Sequence, residues 1–318
     1  MSERGGRVGP VEPAAPGLSG WLVTGAAGML GRDLTALLAS RGEQATGLGR
    51  ADLDITDAAA VAAALKAHSP AIVVNCAGWT AVDDAEAHEA EALLRNGDGP
   101  ANLAVACASL GATLVHISTD YVFTGDASTP YAEDAPTGPR TAYGRTKLAG
   151  ERAVLETLPE TGYVVRTAWL YGEHGANFVR TMIRLARKGN PVTVVDDQAG
   201  QPTWTADLAA QIYVLASSNA PAGRYHGTSS GETTWFGLAR EIFDLHAASP
   251  EGGTGRDLVS PTTSAAYAAT ATRQTAPRPA YSVLGHDKWT AAGIAPIGDW
   301  RDSLHRAFPA VLSATPQS

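Results

Sequence analysis

A tyrosine and a lysine stand four residues apart in the segment AYGRTKLAGE, at Tyr143 and Lys147. Residues at this spacing share one face of an α-helix. A free phenol, with a pKa near ~10, is a poor acid or base at neutral pH, but a neighbouring ammonium stabilises its ionised form. The pair could therefore move a proton at working pH. Because the spacing is also common by chance, it needs support from other parts of the chain.

A glycine-rich segment gives that support. Residues 21–25 predict a strand, which runs directly into a turn with Gly25, Gly28 and Gly31. In a dinucleotide-binding turn, one glycine makes the tight turn, another lets amides approach a pyrophosphate, and the third lets the helix pack on the strand. An ordinary strand–helix turn is the competing interpretation. The helical period over 29–42 and the alternation after it favour the dinucleotide.

The end of the second predicted strand, 44–49, indicates which dinucleotide binds. An acidic residue there would bond a ribose 2′-hydroxyl and exclude a 2′-phosphate. This sequence has Arg50 instead, and Asp54 comes a little later. A guanidinium can pair with a 2′-phosphate. The sequence therefore favours NADPH and leaves NADH open, since a solvated surface role for Arg50 is an equal alternative.

Short β-branched runs alternate with Ala/Leu-rich stretches of helical period along most of the chain. This alternation predicts an α/β fold, a Rossmann-type doubly wound parallel sheet with a smaller C-terminal α/β substrate-binding part. We expect a disordered leader at 1–17, a mainly NAD(P)-binding Rossmann domain at 18–160, and a mainly substrate-binding part at 161–318 with some segments returning to the Rossmann sheet. The remaining expected elements are strands at 71–78, 113–119, 161–171, 191–197 and 223–230, helices at 57–68, 86–110, 143–158, 177–188, 206–217 and 234–246 with Thr234 as a cap, a loop at 248–280, and two short helices within 285–308.

Charge and composition exclude several classes of partner. The 318 residues include 24 Lys and Arg against 32 Asp and Glu, a net charge of −8, without a basic run. This balance argues against a nucleic-acid polymer or an anionic membrane as a partner. No apolar run reaches the ~18 residues that a membrane span needs. Cys76 and Cys107 lie in apolar stretches, as buried thiols do in a reducing compartment, so we expect a cytoplasmic protein.

Seven segments, in order over residues 21 to about 280, give a specific resemblance. They are TGAAGMLG, VNCAGWTAVDDAE, HISTDYVFTG, YGRTKLAGE, RTAWLYG, NFVRTM and DQAGQPT. Together they resemble the extended short-chain dehydrogenase/reductase superfamily and, within it, the dTDP-4-dehydrorhamnose reductases. The later segments YHGTSSGETTWFGLA and RPAYSVL are similar to the C-terminal part of that family.

The resemblance implies NADPH-dependent reduction of the 4-keto group of dTDP-4-dehydro-6-deoxy-L-hexose to dTDP-L-rhamnose. It places a catalytic triad on Thr119, Tyr143 and Lys147. Tyr143 would protonate the carbonyl oxygen, Lys147 would hold the nicotinamide ribose and lower the tyrosine pKa, and Thr119 would bond the same substrate oxygen.

The same resemblance implies binding residues. For the cofactor these are Gly28, Met29 and Leu30 along the pyrophosphate, Asp54 and Ile55 near the adenine, and Ala77, Gly78 and Thr80 along the ribose, besides Gly25, Gly31, Arg50, Tyr143 and Lys147. For the sugar nucleotide they are Thr119, Asp120 and Trp169, to which charge and position add Asn177 and Arg278. Helix capping is an equal alternative for Asn177, and a surface position is the alternative for Arg278.

Other functions stay open. A related dTDP-keto-sugar reductase of antibiotic biosynthesis, of the dihydrostreptose type, would have nearly the same site. An epimerase-reductase similar to GDP-fucose synthase needs a Cys/His pair, and no cysteine follows strand 113–119. A non-enzymatic role, like that of the regulatory subunit of methionine adenosyltransferase, is disfavoured by the intact triad. Some family members are reported with magnesium at a dimer contact, but no carboxylate cluster here can be assigned to a metal, and a homodimer stays open.

Overall fold

The computed structural model describes residues 17–270 and 275–317, so the predicted leader at 1–17 lies almost wholly outside the described residues. The strands are β1 (Trp21–Thr24), β2 (Ala45–Leu48), β3 (Ile72–Asn75), β4 (Thr113–Thr119), β5 (Gly162–Thr167), β6 (Leu170–Tyr171), β7 (Val192–Val195), β8 (Ala199–Gly200), β9 (Thr203–Trp204), β10 (Gly223–His226), β11 (Thr233–Thr234) and β12 (Val259–Thr262). The α-helices are α1 (Met29–Ser40), α2 (Ala58–His68), α3 (Val82–Ala85), α4 (Glu89–Leu93), α5 (Gly99–Leu110), α6 (Ala142–Thr157), α7 (Phe178–Lys188), α8 (Thr205–Ala216), α9 (Trp235–Ala248), α10 (Ser264–Thr270), α11 (Asp287–Ala291) and α12 (Trp300–Ala314).

Six strands form one parallel sheet in the order β2-β1-β3-β4-β5-β10. Every residue of β5 is buried, as expected where helices cover both faces of a parallel sheet. The predicted doubly wound α/β fold is confirmed. The strand order changes direction between β1 and β3, and ligands of open α/β sheets bind at the carboxyl ends of the strands at such a point.

The three largest apolar clusters build most of the core. One face of the sheet packs against α1 and α8 through Leu34 and Ile212, and the other face packs against α2 and α5 through Leu65 and Leu103. A third cluster joins α7, α9 and α12 beyond the sheet, around residues such as Phe243. Strands β5 and β10 and helix α8 belong to the sheet or pack on it although they follow residue 160, and the domain boundary there stays a prediction.

The predicted loop over 248–280 is wrong in part. Within it, β12 pairs in parallel with β7, and α10 follows directly. The two strands are more than 60 residues apart in the chain, and β12 includes Pro261, which removes a backbone donor and hides the strand pattern. A partner this distant leaves no local signal in the sequence.

Two other predicted elements are interrupted. The helix expected over 86–110 consists of α4, a π-helical turn at Leu94–Asp98, and α5. Turns of this kind are rare and occur often at functional sites. The strand expected over 161–171 breaks after β5, where Trp169 takes the left-handed backbone conformation with φ 47°. Thr234 caps α9 as predicted, since its hydroxyl accepts from the Gly237 amide.

Two hydrogen bonds fix the first turn of helix α6, and a close contact fixes it further along. Thr141 caps it by accepting from the Gly144 amide at 3.0 Å, and the carboxylate of Glu86 accepts from the Ala142 amide at 2.8 Å. Further along, Gly150 lies against the π-helical turn, where a Cβ would stand 2.1 Å from the Asn96 carbonyl oxygen. Only glycine allows this approach, which brings α6 against the segment after β3.

We expect Gly150→Ala to destabilise the protein by ~1–3 kcal/mol, because the new methyl group would push α6 away from the π-helical turn. In a helix without this contact the same change would stabilise by about 0.5–1 kcal/mol. Chemical denaturation measures the difference. Gly298→Ala is the matched control, since a Cβ there meets nothing within 4 Å, and equal stability of the two variants would contradict the close approach.

No helix within the described ranges, 17–270 and 275–317, has both the length and the apolar character of a membrane span.

Candidate active site

A single cavity of about 840 Å³ opens along the carboxyl edge of the sheet. It brings together most of the residues singled out from the sequence. Those that line it are Gly25, Gly28, Met29, Leu30, Arg50, Asp54, Ile55, Ala77, Gly78, Thr80, Thr119, Asp120, Tyr143, Lys147, Trp169 and Arg278. Gly31 and Asn177 are not among its lining residues.

The turn from β1 to α1 is shaped for close backbone approach. Gly25 has φ +66°, and a Cβ there would stand 2.6 Å from the Ala77 amide nitrogen. At Gly31, a Cβ would stand 2.3 Å from the Gly25 carbonyl oxygen, so this glycine lets α1 pack on the turn. Gly28 precedes α1, and no described side chain caps this helix end. The free amides and the helix dipole therefore favour a phosphate group here, and the residues fit a dinucleotide.

The far end of the cavity lies beyond β2. The Asp52 carboxylate accepts from the Gly49 amide at 2.9 Å, and the Asp54 carboxylate accepts from the Thr56 amide and hydroxyl at 3.0 and 2.8 Å. The hydrogen bonds from Thr56 lower the pKa of Asp54. Both carboxylates thus bond their own loop, while the exposed side chain of Arg50 lines the cavity.

Two buried asparagines that sequence reasoning missed organise the cofactor side. Asn75, at the end of β3, accepts from the Thr24 hydroxyl at 2.7 Å and contacts His116 Nδ1 at 3.0 Å, which ties together β1, β3 and β4. Asn96 accepts from the Trp79 amide at 2.8 Å and donates to the Trp79 carbonyl and the Thr146 hydroxyl, each at 3.1 Å. An Asn next to glycines in a predicted helix is the signal that could have indicated this break.

His116 itself is a core residue. It is fully buried, and desolvation with the nearby Lys147 charge lowers its pKa well below the usual value.

The three candidate catalytic side chains meet where β4 ends and α6 begins. Thr119 is the last residue of β4, and its hydroxyl accepts from the Tyr121 amide at 3.2 Å. Tyr143 and Lys147 lie one turn apart on α6. The Lys147 ammonium is buried and donates to the Ile117 carbonyl oxygen of β4. Sheet and helix therefore fix this group of residues together.

Burial sets the protonation of these groups. Desolvation raises the pKa of Tyr143 to about 12, against a hydrogen bond with Thr119 that lowers it. Desolvation lowers the pKa of Lys147 to about 8, against the charge of Glu151 that raises it. At neutral pH the phenol is protonated and the amine is largely cationic. The lowering of the tyrosine pKa by Lys147 stays a prediction, because burial, Thr119 and Asp120 are the causes that set it in the structure.

Asp120 places a buried carboxyl group beside the pair. It is 4% exposed, and its Oδ1 accepts from the Thr119 hydroxyl at 2.9 Å. Its Oδ2 has no hydrogen-bond partner within the described part of the chain. Desolvation raises the pKa of this carboxyl to about 6. A buried acceptor without a partner is costly, and a ligand hydroxyl would satisfy it.

A pair of stacked aromatic side chains also lines the cavity. The indoles of Trp169 and Trp235 stack with centroids 3.6 Å apart and planes 10° apart. Trp235 Nε1 donates to the Gln198 side chain at 3.1 Å, and Gly200 leaves room for Trp169, since a Cβ there would stand 2.5 Å from the indole. Trp235 and Gln198 also line the cavity, although sequence reasoning had not singled them out.

Asn177 and Arg278 differ in position. Asn177 caps α7, accepting from the Arg180 amide at 3.1 Å and donating to the Gly172 carbonyl at 3.0 Å, so its amide bonds the backbone. Arg278 lines the cavity and donates to the Asp83 carboxylate at 2.8 Å.

Within 17–270 and 275–317, no group of three or more His, Cys, Asp or Glu side chains could hold a metal ion.

The cavity combines a glycine turn, at the switch point of a parallel sheet, with a tyrosine–lysine pair on α6. This combination defines a nicotinamide-dependent reductase of the short-chain dehydrogenase/reductase type. Comparison with known proteins makes this class specific. Residues 20–312 match the family model described as the RmlD substrate binding domain. The chain belongs to the dTDP-4-dehydrorhamnose reductase family.

Three relatives are similar to this chain over more than nine tenths of its length. A dTDP-4-dehydrorhamnose reductase of Streptomyces griseus is 57% identical over 92% of this chain and 93% of its own length. A probable dTDP-4,6-dihydroxy-2-methyloxan-3-one 4-ketoreductase of Streptomyces antibioticus is 55% identical, over 92% and 96%. The crystal structure of the Bacillus anthracis dTDP-4-dehydrorhamnose reductase in complex with NADP superposes with a TM-score of 0.83 at 35% identity, covering 93% of this chain and 99% of that one.

We expect Gly25→Ala to weaken NADPH binding at least tenfold, because the left-handed backbone and the contact with Ala77 both oppose a side chain at this position. Fluorescence titration with NADPH measures the affinity. Gly42→Ala is the matched control: Gly42 has φ +73°, yet a Cβ there meets nothing within 4 Å. A Gly25 variant that binds NADPH as well as the Gly42 variant would show that the turn from β1 to α1 does not hold the cofactor.

Proposed function

We propose that the protein reduces the 4-keto group of dTDP-4-dehydro-6-deoxy-L-hexose (dTDP-4-dehydrorhamnose) to dTDP-L-rhamnose with NADPH. The observation that carries this proposal is the protonated phenol of Tyr143 on the cavity wall, fixed beside Lys147 and Thr119. A ketone reductase needs a proton donor at neutral pH, and this phenol has that form. The names of the Streptomyces griseus and Bacillus anthracis relatives support the choice of substrate.

Each of the three residues has a separate task in this proposal. When bound, the reduced nicotinamide supplies a hydride to carbon 4 of the sugar. Tyr143 gives its proton to the carbonyl oxygen as negative charge develops there. With substrate bound, the Thr119 hydroxyl would turn its single proton from Asp120 to the same oxygen. The cationic Lys147 would hold the ribose hydroxyls and stabilise the phenolate left after proton transfer.

The backbone of the glycine turn would hold the rest of the cofactor. Gly28, Met29 and Leu30 would face the pyrophosphate, where the uncapped end of α1 favours anions. The other contacts proposed are those of Asp54 and Ile55 near the adenine and of Ala77, Gly78 and Thr80 along the ribose. Gly31 would act indirectly, because it lets α1 pack against the turn.

The sugar nucleotide would occupy the part of the cavity between β4 and α9. The unpartnered Oδ2 of Asp120 would accept from a sugar hydroxyl, and Trp169 would cover one face of the sugar. Arg278 would bind the diphosphate, for which its planar guanidinium is suited. Asn177 would support the site only by capping α7, since its amide already bonds the backbone. A homodimer stays a prediction.

A related reductase of antibiotic biosynthesis is the second candidate. It is favoured by the 55% identity to the Streptomyces antibioticus protein, whose name gives a different keto-sugar. Epimerisation through a thiol is disfavoured, because burial raises the pKa of both Cys76 and Cys107 to about 12. A purely regulatory role would not require the fixed arrangement of Thr119, Tyr143 and Lys147.

The product distinguishes the two reductases. The protein is supplied with dTDP-4-keto-6-deoxyglucose, a 3,5-epimerase and NADPH, and the product is identified by NMR. We expect dTDP-L-rhamnose. A sugar of the streptose type would favour the second candidate, and no conversion would contradict both.

Tyr143→Phe tests the mechanism in the same assay. We expect turnover to fall by ~10² to 10⁴, the usual contribution of a general acid, while the affinity for NADPH is kept. Tyr213→Phe is the control, because Tyr213 lies on α8 and bonds the Glu43 carboxylate away from the cavity. Near-normal turnover of the Tyr143 variant would rule out the phenol as the proton donor.

Preference for NADPH over NADH is assigned to Arg50. We expect Arg50→Ala to lower kcat/KM with NADPH about tenfold or more and to change the value with NADH little, since a hydrogen bond to a charged group contributes ~1.5–3 kcal/mol. Arg152→Ala, at another exposed arginine, controls for the change in net charge. Equal losses with both cofactors would show that Arg50 does not read the 2′-phosphate.

A further inference from the structure

Glu151 is a buried acid on the catalytic helix for which the proposed reaction has no direct use. It lies one turn after Lys147 and two turns after Tyr143, so the three residues share one face of α6. Its side chain is 0% exposed. The carboxylate accepts from the Ser118 hydroxyl at 2.6 Å and from Arg166 Nε and Nη2 at 2.9 and 2.7 Å.

Arg166 extends these contacts to β5 and to the segment between β4 and α6. It lies on β5, directly opposite Ser118 of β4, and is 1% exposed. Its Nη1 donates to the Glu133 carbonyl at 3.2 Å, and its guanidinium lies 4.8 Å from the centre of the Phe123 ring. Glu133 and Phe123 belong to the segment between β4 and α6. The Glu151 carboxylate therefore joins β4, β5, that segment and α6.

The contact with Ser118 lies next to two of the groups that the proposed reaction uses, Thr119 and Lys147. Ser118 immediately precedes Thr119, and Ile117, on its other side, accepts from the Lys147 ammonium. A shift of Glu151 would thus move the hydroxyl of Thr119 and the acceptor of Lys147 together. Both are groups on which the proposed proton transfer depends.

The charges around Lys147 are few. Facing it are Glu151 of the same helix, the Cys76 thiol after β3 and the His116 ring of β4. Facing Glu151 are Arg166 and, at 3.8 Å, Nε of Arg224 on β10. The buried thiol and imidazole are neutral near pH 7, since burial raises the pKa of Cys76 and lowers that of His116. Glu151 therefore provides the negative charge near the ammonium.

We propose that Glu151 is a positioning residue for the reduction: its carboxylate, bonded to Ser118 and Arg166, fixes Ser118 and Thr119 against α6 one helical turn from Lys147. This inference rests on the role proposed for Lys147. Stability alone does not account for the acid, because a buried ion pair can often be replaced by apolar residues without loss of stability.

The test follows the pH dependence of two quantities, the affinity for NADPH by fluorescence and kcat/KM with the keto-sugar. In the wild type both should fall as the pH rises through about 8, the pKa of Lys147, because the ammonium is lost. In Glu151→Gln the attraction that favours the ammonium is gone, so we expect both midpoints to move to lower pH by about one unit, a tenfold change in proton affinity. Glu151→Asp keeps the charge and should restore the midpoint.

Glu251→Gln is the matched structural control. Glu251 forms a partly buried pair with Arg187 at 2.7 Å, away from the cavity, so its loss should lower stability and leave the pH midpoints unchanged. If Glu151→Gln does not fold, Arg166→Gln is measured in its place; it leaves the Glu151 charge without this partner, so the pH midpoints should move to higher pH. A folded variant with the wild-type midpoint, or one that differs from wild type only in stability, would overturn the proposal.

The two readouts separate this inference from the proposed function. A wild type that binds NADPH with the expected pH midpoint but does not convert the keto-sugar would contradict the proposed substrate. The NADPH midpoint of the Glu151 variants would still decide the role of this residue.

Discussion

The side-chain amide of Asn96 is the contact on which the arrangement of the site depends most. It bonds both backbone groups of Trp79 in the loop after β3 and the hydroxyl of Thr146 on α6, so it joins the cofactor loop to the catalytic helix. The π-helical turn points this residue inward, and Gly150 allows α6 to approach it. A buried amide whose oxygen and both N–H groups are paired favours one geometry, because an unpaired polar group would be costly there.

The protonation states of the cavity residues fit the proposed reduction. Burial raises the pKa of Tyr143 and of Asp120 and lowers that of Lys147, so desolvation opposes the charged form of each group. A phenol held in its protonated form is ready to give a proton to a carbonyl oxygen. Hydrogen bonds with Thr119 and the charge of Glu151 act against desolvation, and the pKa values of Asp120 and Lys147, about 6 and about 8, lie on either side of neutral pH.

The sequence was informative where the chemistry is local. The glycine turn, the spacing of Tyr143 and Lys147, and the strand end at Thr119 are each patterns within a few residues, and apart from Gly31 these residues line the cavity. Asn96 and the Glu151–Arg166 pair depend on partners far along the chain, which periodicity does not reveal. For the same reason the sequence pattern predicts a loop where β12 lies, since β7, far along the chain, supplies its only sheet neighbour in the described part of the chain.

The stack of Trp169 on Trp235 fixes the segment after β5 against α9. The left-handed backbone of Trp169 is costly for a residue with a side chain, by ~1–2 kcal/mol, and the stack with Trp235 offsets that cost. Trp169 follows β5 in the chain and Trp235 lies on α9, and both indoles pack against the cluster of α7, α9 and α12. A displacement of the segment after β5 relative to α9 would slide or separate the two rings, so their exciton coupling would report it.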